Sequence, residues 1–385
     1  MIDFLTHPHH RHTQTFEWLK EAIGRPVRKL YGDPETLRAY LPSLQTNPPK
    51  LLILFQLEHL AAWASCFCPV LVFPMNDLTR MTPDAYLASL RNVEWISFSR
   101  ALHQRLAGLG LSSRYLQYAP DPEAFPEVSW EHGPRAYFWE RLPEDLSVQA
   151  AGEILRSLDV ENLEVRQTKD PLLSSGEQVQ SKYHVEGWQP REEYLRSLAG
   201  FNMYVAPRRH EGIGMAFLEA MAMGMCVVAE NQPTANEYIL SGQNGILYGG
   251  DQEKIYLPRR VESAEMARMG REARETIRLI HGEWLTKKVE IGRCVEAMLQ
   301  LRMEPKVPPA GLLNLTIDFW QDQQGFWESF GSGALEIWRS GAIEKKGRRA
   351  RSVGGRIRTL WRHSRSFLLQ LLSRGRKGCE SSIQI

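Results

Sequence analysis

The stretch 203–229, MYVAPRRHEGIGMAFLEAMAMGMCVVA, holds the residues whose types and spacing best suit chemistry. An apolar run at 203–206 ends at Pro207 and predicts a buried strand. Arginines, a histidine, an acid and two glycines follow. Strong helix formers then predict a helix that ends at Gly224, and the apolar run 225–229 predicts the next strand. The pattern is strand, glycine loop, helix, strand.

This loop and helix start are predicted to bind an anion. The first N–H groups of a helix have no partner inside it, and the macrodipole adds positive charge there. Glycines let the backbone approach a ligand, and arginines upstream supply charge. The expected ligand contacts are Arg208, Arg209, Gly212, Ile213, Gly214 and Met215.

Two acids accompany the glycines. Glu211 lies on the loop, and Glu219 is the only charged residue of the predicted helix, about 7 Å along its axis. A carboxylate among apolar residues requires hydroxyl or cationic partners. The alternative is an ordinary α/β turn in which Glu219 is solvated.

The spacing of these residues resembles the C-terminal domain signature of retaining glycosyltransferases of the GT-B architecture, in particular family 4. The matching pattern runs from Pro207 through Glu211, Gly212, Gly214 and Glu219 to Gly224. The resemblance implies an α/β fold of two Rossmann-like, doubly wound domains that face a cleft. It also implies that the second domain binds a nucleotide-sugar donor and the first a glycan or lipid-linked acceptor.

By this resemblance, Glu211 contacts the donor sugar, Glu219 contacts the ribose, and Glu237 supports the ribose or the phosphates. In the first domain the family often carries a His-Asp pair at the cleft. This chain has Asn76-Asp77, so only Asp77 carries over. Helix capping or a surface hydrogen bond remains the alternative for Asp77 and for His59.

The cations that hold the donor diphosphate match the family only in part. Arg141 matches the family's arginine, but Glu140 replaces its glycine, and the lysine expected five or six residues later is missing. Neutralisation then falls on Arg141 with Arg208 or Arg209, because a guanidinium can bind a diphosphate bidentately. No Asp-x-Asp motif is present, so neither a metal nor another cofactor is expected. A catalytically silent glycan- or nucleotide-binding protein, a sugar epimerase of GT-B shape and a membrane-docked scaffold stay open.

Proline and glycine residues indicate where domains, strands and helices end. An acceptor domain is expected at 1–125, a proline-rich linker near 120–134, a donor domain at 135–300 and a helical extension that packs on the body at 301–344. Predicted strands lie at 1–5, 27–30, 51–55, 69–73, 93–98, 115–118, 135–139, 163–166, 183–186, 203–206 and 225–229. Predicted helices lie at 13–23, 99–109, 191–199, 215–223 and 265–279.

A basic tail closes the sequence. Residues 345–377 contain many Lys and Arg residues and no acid, interleaved with leucine, tryptophan and phenylalanine. This pattern predicts a cationic amphipathic helix that binds an anionic membrane surface. Nucleic-acid binding, which we do not expect, and a solvated tail are the alternatives.

The composition is typical of a cytoplasmic protein. The chain has 385 residues, 43% of them hydrophobic, and five cysteines, which suits two cores and a reduced environment. No signal peptide begins the sequence, and the uncharged stretch 60–76 is broken by Pro69. We expect a cytoplasmic protein that the tail can hold at the inner face of the membrane.

A histidine cluster at 7–12 follows the first predicted strand. A metal site would need further ligands, and none lies nearby in the sequence. A polar loop at the cleft that contacts donor or acceptor is the preferred interpretation, and a solvated loop is the alternative.

Overall fold

Two six-stranded sheets, one in each half of the chain, form the core of the protein. The computed structural model describes residues 1–11, 15–140, 142, 144–161, 163–167, 191–250, 255–256 and 261–320. The first sheet has the strand order β2-β1-β3-β4-β5-β6 and is parallel throughout. The second has the order β12-β11-β10-β9-β7-β8, and only the β11–β12 pair is antiparallel.

The strands and helices of the first half alternate. Its strands are β1 (Ile2–Thr6), β2 (Arg28–Tyr31), β3 (Leu51–Phe55), β4 (Val70–Phe73), β5 (Glu94–Ser97) and β6 (Ser113–Tyr115). Its helices are α1 (Thr15–Ile23), α2 (Pro34–Ser43), α3 (Ala61–Ala64), α4 (Asn76–Thr79), α5 (Asp84–Ser89) and α6 (Arg100–Gly108).

The second half repeats the alternation and ends in helices. Its strands are β7 (Ala136–Glu140), β8 (Leu163–Gln167), β9 (Met203–Val205), β10 (Cys226–Glu230), β11 (Ile246–Gly250) and β12 (Ile255–Tyr256). Its helices are α7 (Val148–Ser157), α8 (Arg191–Leu198), α9 (Met215–Ala222), α10 (Ser263–Lys287), α11 (Val289–Leu299) and α12 (Leu312–Ile317).

The sequence of the central strands explains why they lie inside. β3 and β4 are uninterrupted apolar runs that are buried on both faces, as expected for parallel strands covered by helices. Thr6, Phe55 and Phe73 are register partners at the carboxyl ends of β1, β3 and β4. The loops after these strands therefore meet at one edge, where ligands of doubly wound sheets bind.

The last helices return from the second sheet to the first half of the chain. α10 packs on α9 and β10, and α11 packs on α1. Trp284 of α10 is buried among the rings of Trp18, Phe98 and Tyr118, with centroids 5.4, 6.4 and 5.3 Å away. α12 then packs on α2, so the part of the extension described by the structure, 301–320, lies on the first domain.

The predicted α/β fold with two doubly wound sheets is confirmed. Most predicted strands lie within two residues of the observed ones, although the strand predicted at 115–118 is β6 at Ser113–Tyr115. Sequence periodicity did not predict α2, α5 or α7. The strand predicted at 183–186, residues 321–344 and the tail 345–385 lie outside the described residues. No described helix is long and apolar enough to cross a membrane.

We expect Trp284→Ala to lower the free energy of unfolding by about 3–5 kcal/mol, because it removes the aromatic contact between α10 and the first domain. Leu285→Ala is the matched control on the same helix, since Leu285 is 47% exposed and should change stability by about 0.5 kcal/mol or less. Denaturant unfolding measures both. Equal losses for the two variants would contradict the assignment of the α10 contact.

Candidate active site

The loop between β9 and α9 has the geometry predicted for it. β9 is fully buried, and α9 begins at Met215 after Gly214, whose φ of 85° is left-handed. A Cβ at position 214 would lie 1.9 Å from Cε1 of Phe217. Gly214 is therefore required both by its backbone conformation and by the packing of the helix that follows.

Gly212 brings the loop against the first domain. A Cβ at position 212 would lie 3.0 Å from Oδ1 of Asp77 and 3.1 Å from Cβ of Met75. The glycine pattern predicts that a ligand makes the close approach at Gly212. In the structure, Asp77 at the start of α4 makes that approach, so the two domains meet at this glycine.

Arg208 joins the two domains by ion pairs. Its Nη1 lies 3.1 Å from Oδ2 of Asp77 and 3.8 Å from Oε2 of Glu211. The three side chains are only 18%, 9% and 15% exposed, respectively. Withdrawal from water disfavours the charged guanidinium, but the two carboxylates outweigh this and raise the pKa of Arg208. Three predicted site residues thus converge, although Asp77 and Arg208 are 131 positions apart.

A polar chain extends from Asp77 into the first domain. Nε2 of Gln56 donates to Oδ1 of Asp77 at 3.4 Å, and Nε2 of His10 lies 2.5 Å from Oε1 of Gln56. Gln56 has a φ of 59° directly after β3, and His10 packs edge-on against Phe55. The histidine cluster thus reaches the cleft through His10. Sequence reasoning missed Gln56, whose only signal is its place at the end of a buried strand.

Arg209 forms hydrogen bonds with acids other than those that contact Arg208. Its Nε donates to Oε2 of Glu230 at 2.9 Å, and its backbone N–H donates to Oδ2 of Asp145 at 3.3 Å. The hydrogen bond that Arg209 donates to Glu230 is the main reason that the pKa of Arg209 is raised. Burial, and next the positive charge of Arg80, lower the pKa of His210. Neither arginine of the loop is without a carboxylate partner.

Glu219 is buried and finds a cation rather than solvent. Nη1 of Arg191, the first residue of α8, donates to Oε1 of Glu219 at 2.7 Å. Burial raises the pKa of Glu219, while Arg191 partly offsets that rise. The guanidinium of Arg191 also lies 5.9 Å from the ring centroid of Phe125. The sequence indicated that Glu219 needs a partner but not that Arg191 supplies it.

Glu237 contacts the first domain instead of the glycine loop. Its carboxylate accepts hydrogen bonds from Oγ of Ser99 at 2.8 Å and from the backbone N–H groups of Arg100 and Ala101 at 2.6 and 3.1 Å. These groups form the start of α6. The resemblance placed Glu237 on the ribose or phosphate side of the donor, whereas its contacts here lie between the domains.

The diphosphate side of the site is described in part. Arg141, predicted as its main cation, lies outside the described residues. Glu140, which replaces the family's glycine, accepts a hydrogen bond from the backbone N–H of Val148 at 2.8 Å. Its carboxylate therefore lies at the start of α7, beside the N-cap Ser147.

Comparison with known proteins identifies the fold and a family that matches part of the second domain. Residues 145–256 match the family described as glycosyl transferases, group 1. The structure is similar to sucrose-phosphate synthase from Thermosynechococcus elongatus, with a TM-score of 0.56 and 13% identity over 77% of this chain and 99% of that one. The chain has the GT-B fold, and its residues 145–256 match a family of glycosyltransferases.

Two further structures have the same fold at low identity. HepE of Anabaena, solved in complex with UDP-glucose, matches with a TM-score of 0.51 and 13% identity over 77% of this chain and 98% of that one. The lipopolysaccharide outer core galactosyltransferase WaaB matches with a TM-score of 0.52 and 10% identity over 77% and 99%. No curated protein matches this chain in sequence.

His59 of the first domain is buried under the extension. Its ring stacks on Phe319 with centroids 3.9 Å apart, and it is 3% exposed. Burial, with a smaller contribution from His7, lowers the pKa of His59 to about 3. The surface hydrogen-bonding role that the sequence left open for His59 does not fit this position. Within the described ranges, no three His, Cys, Asp or Glu residues form a group that could hold a metal ion.

The burial of His59 predicts an acid-sensitive fold. The pKa of His59 is about 3 in the folded protein and about 6.5 in the unfolded chain. As the pH falls, the unfolded chain therefore binds the proton before the folded protein does. Its contribution to stability is complete above pH 6.5 and falls by about 1.4 kcal/mol per pH unit below that, towards pH 3.

Between pH 7 and pH 4.5 the free energy of unfolding should fall in both proteins. We expect the fall to be smaller in His59→Gln than in the wild type, by about 2–3 kcal/mol. Urea unfolding at both pH values measures the difference. His132→Gln, at an exposed position, is the control and should keep the wild-type profile. An unchanged pH profile in His59→Gln would rule out His59 as a source of acid sensitivity.

Proposed function

We propose that the protein is a retaining glycosyltransferase of cell-surface polysaccharide synthesis, which moves a sugar from a nucleotide-sugar donor to a glycan or lipid-linked acceptor. The observation that carries this proposal is the convergence of Arg208, Glu211 and Asp77 where the glycine loop meets the first domain. Cations, a sugar-binding acid and an acceptor-side acid are the groups that such a transfer requires.

On the donor side, Glu211 binds the sugar hydroxyls and Glu219 binds the ribose. The diphosphate rests against the start of α9, where backbone N–H groups and Arg208, Arg209 and Arg141 stabilise the charge that grows on the leaving group. HepE was solved with UDP-glucose and with UDP, which supports a uridine nucleotide as the first donor to test.

The pairing of the arginines sets a condition on donor binding. Arg208 and Arg209 already contact Asp77 and Glu230, so a diphosphate competes with these carboxylates for the same guanidinium groups. The guanidinium binds carboxylate and phosphate through the same pair of N–H groups. Donor binding therefore requires that each arginine exchange its carboxylate for a phosphate, and it requires no additional cation. No metal ion is required in this scheme.

On the acceptor side, Asp77 is the group that binds or orients the attacking hydroxyl. Gln56 and His10 fix its carboxylate from behind. In the retaining reaction the leaving diphosphate takes the proton of the acceptor hydroxyl, on the same face of the sugar that the hydroxyl attacks. Asp77 is then a positioning group and not the final base.

A catalytically silent binding protein is the second candidate. The family's lysine is absent, Glu140 replaces a glycine, and the described cations of the loop are compensated by acids. Such a protein would bind the nucleotide without turnover. A GT-B sugar epimerase, the remaining enzymatic candidate, would convert the nucleotide sugar without an acceptor.

The test is turnover of a panel of UDP-, GDP-, ADP- and dTDP-linked sugars. We expect wild-type release of the nucleoside diphosphate, and we expect Glu211→Gln to lower kcat on the order of 100-fold, because a contact to the transferred sugar is lost. Glu193→Gln, at an exposed position on α8, is the control and should keep full activity.

Other outcomes separate the candidates. Nucleotide binding by calorimetry without turnover of any donor would support the silent protein and overturn the transferase. Conversion of the donor sugar to its epimer, without release of the diphosphate, would support the epimerase. The anomeric configuration of the product, read by NMR, tests retention.

We also propose that the tail binds an anionic membrane surface. Residues 345–385 lie outside the described residues, and their basic and apolar pattern suits an anionic membrane surface. A peripheral position at the inner face of the membrane would bring the enzyme to lipid-linked acceptors.

We expect the full chain to float with liposomes containing anionic lipid, and residues 1–344 to stay unbound, because each basic residue near the surface contributes about 1 kcal/mol. Neutral liposomes are the control, and rising salt should release the protein. Equal flotation of both chains would show that the tail is not the membrane-binding part.

A further inference from the structure

One segment of the second domain contacts both the first domain and the glycine loop. We call residues 233–238, which connect β10 to the turn before β11, the bridging segment. It contains a short 3₁₀ turn, Ala235–Glu237. Its contacts run in two directions, and they link parts of the structure that are distant in sequence.

In one direction the Glu237 carboxylate docks on the start of α6. Ser99 Oγ and the N–H groups of Arg100 and Ala101 donate to it, and the hydroxyl of Tyr115 lies 3.4 Å away. α6 has nine residues, and the carboxylate lies at the positive end of its dipole. These are charge-assisted hydrogen bonds across the domain boundary, the stronger class of hydrogen bond.

Other groups hold the bridging segment to the first domain at the same place. Nε2 of Gln117 donates to the Glu237 carbonyl at 3.0 Å, and the Tyr238 hydroxyl donates to the Tyr118 carbonyl at 2.8 Å. Nδ2 of Asn76 donates to the Pro233 carbonyl at 3.1 Å. The segment is therefore attached to the first domain at both of its ends.

In the other direction the bridging segment holds the glycine loop. The hydroxyl of Thr234 donates to the carbonyl of Glu211 at 2.9 Å and lies 3.3 Å from that of Gly212. Thr234 is fully buried. A shift of the segment would therefore move or break these bonds, since the Thr234 hydroxyl moves with it.

We propose that Glu237 is an interdomain positioning residue, which couples closure of the two domains to the placement of Glu211. When the Glu237 carboxylate binds α6, the bridging segment is fixed, and Thr234 holds the backbone of Glu211 and Gly212. The effect on transfer rests on the proposed function of Glu211. The effect on domain closure does not.

The chemistry of the contact explains why a carboxylate is needed. Every group that α6 presents to Glu237 is a hydrogen-bond donor. A glutamine in its place would turn an NH₂ group towards one of these donors and would lose the charge that the helix dipole favours. Glu237→Gln therefore weakens the contact with almost no change of shape.

The experiment compares Glu237→Gln and Thr234→Val with the wild type by small-angle X-ray scattering, with and without UDP, and by steady-state transfer. We expect Glu237→Gln to increase the radius of gyration and Thr234→Val to leave it unchanged. Both should lower kcat about tenfold while KM for the donor changes by less than about threefold, since the reacting geometry is lost rather than uniform binding.

Controls separate positioning from loss of structure. Glu272→Gln, at an exposed position on α10, should match the wild type in both measurements. Thr234→Ser keeps the hydroxyl and should restore kcat, whereas a purely structural role of the threonine methyl group would not allow this rescue.

Two outcomes overturn the proposal. Wild-type scattering of Glu237→Gln would show that the carboxylate does not hold the domains together. Expanded scattering with unchanged kcat would show that closure is not coupled to Glu211. Scattering is independent of turnover, so absence of transfer by the wild-type protein would count against the proposed function alone.

Discussion

A guanidinium largely withdrawn from water, with a carboxylate from each domain beside it, is the interaction on which the cleft depends. Arg208 is favourable in that place only because Asp77 and Glu211 offset its desolvation. Gly212 allows this approach, since a Cβ there would lie 3.0 Å from Oδ1 of Asp77 and 3.1 Å from Cβ of Met75, which is tighter than ordinary van der Waals contact. The charge and the missing Cβ together bring the acceptor-side acid to the loop that precedes α9.

The charges at the loop also differ from the pattern of the family that the chain resembles. The expected lysine is absent, and the described arginines of the loop are paired with Asp77, Glu211 and Glu230. Such pairs keep guanidinium groups ordered and already stripped of part of their water, which lowers the cost of transferring them to another anion. The ion pairs of the loop arginines are thus open to two interpretations. They could block a donor in a silent protein, and they also preorganise the arginines for a phosphate.

Connections between the domains extend well beyond the cleft. α10 and α11 carry the chain back to the first domain, where Trp284 contacts Trp18 and α11 packs on α1. Phe319, in the turn that follows α12, covers His59. The bridging segment adds contacts close to the glycine loop. Because these contacts lie on different elements, movement of one domain against the other must change several of them together.

The local pattern of 203–229 was enough to predict β9, the glycine loop, α9 and β10, because strand, turn and helix preferences act over a few residues. It also identified the acids that require partners. Those partners could not be predicted: Asp77 is 131 positions from Arg208, and Arg191 is 28 positions from Glu219. α2 was missed as well, since its signal is a cap at Asp33 and a helix that contains Pro42. The sequence by itself determined the two α/β halves and the chemical types at the site. Only the tertiary structure decided which charges meet and that Glu237 binds α6, because burial and ion pairing depend on distances between elements that local preference does not set.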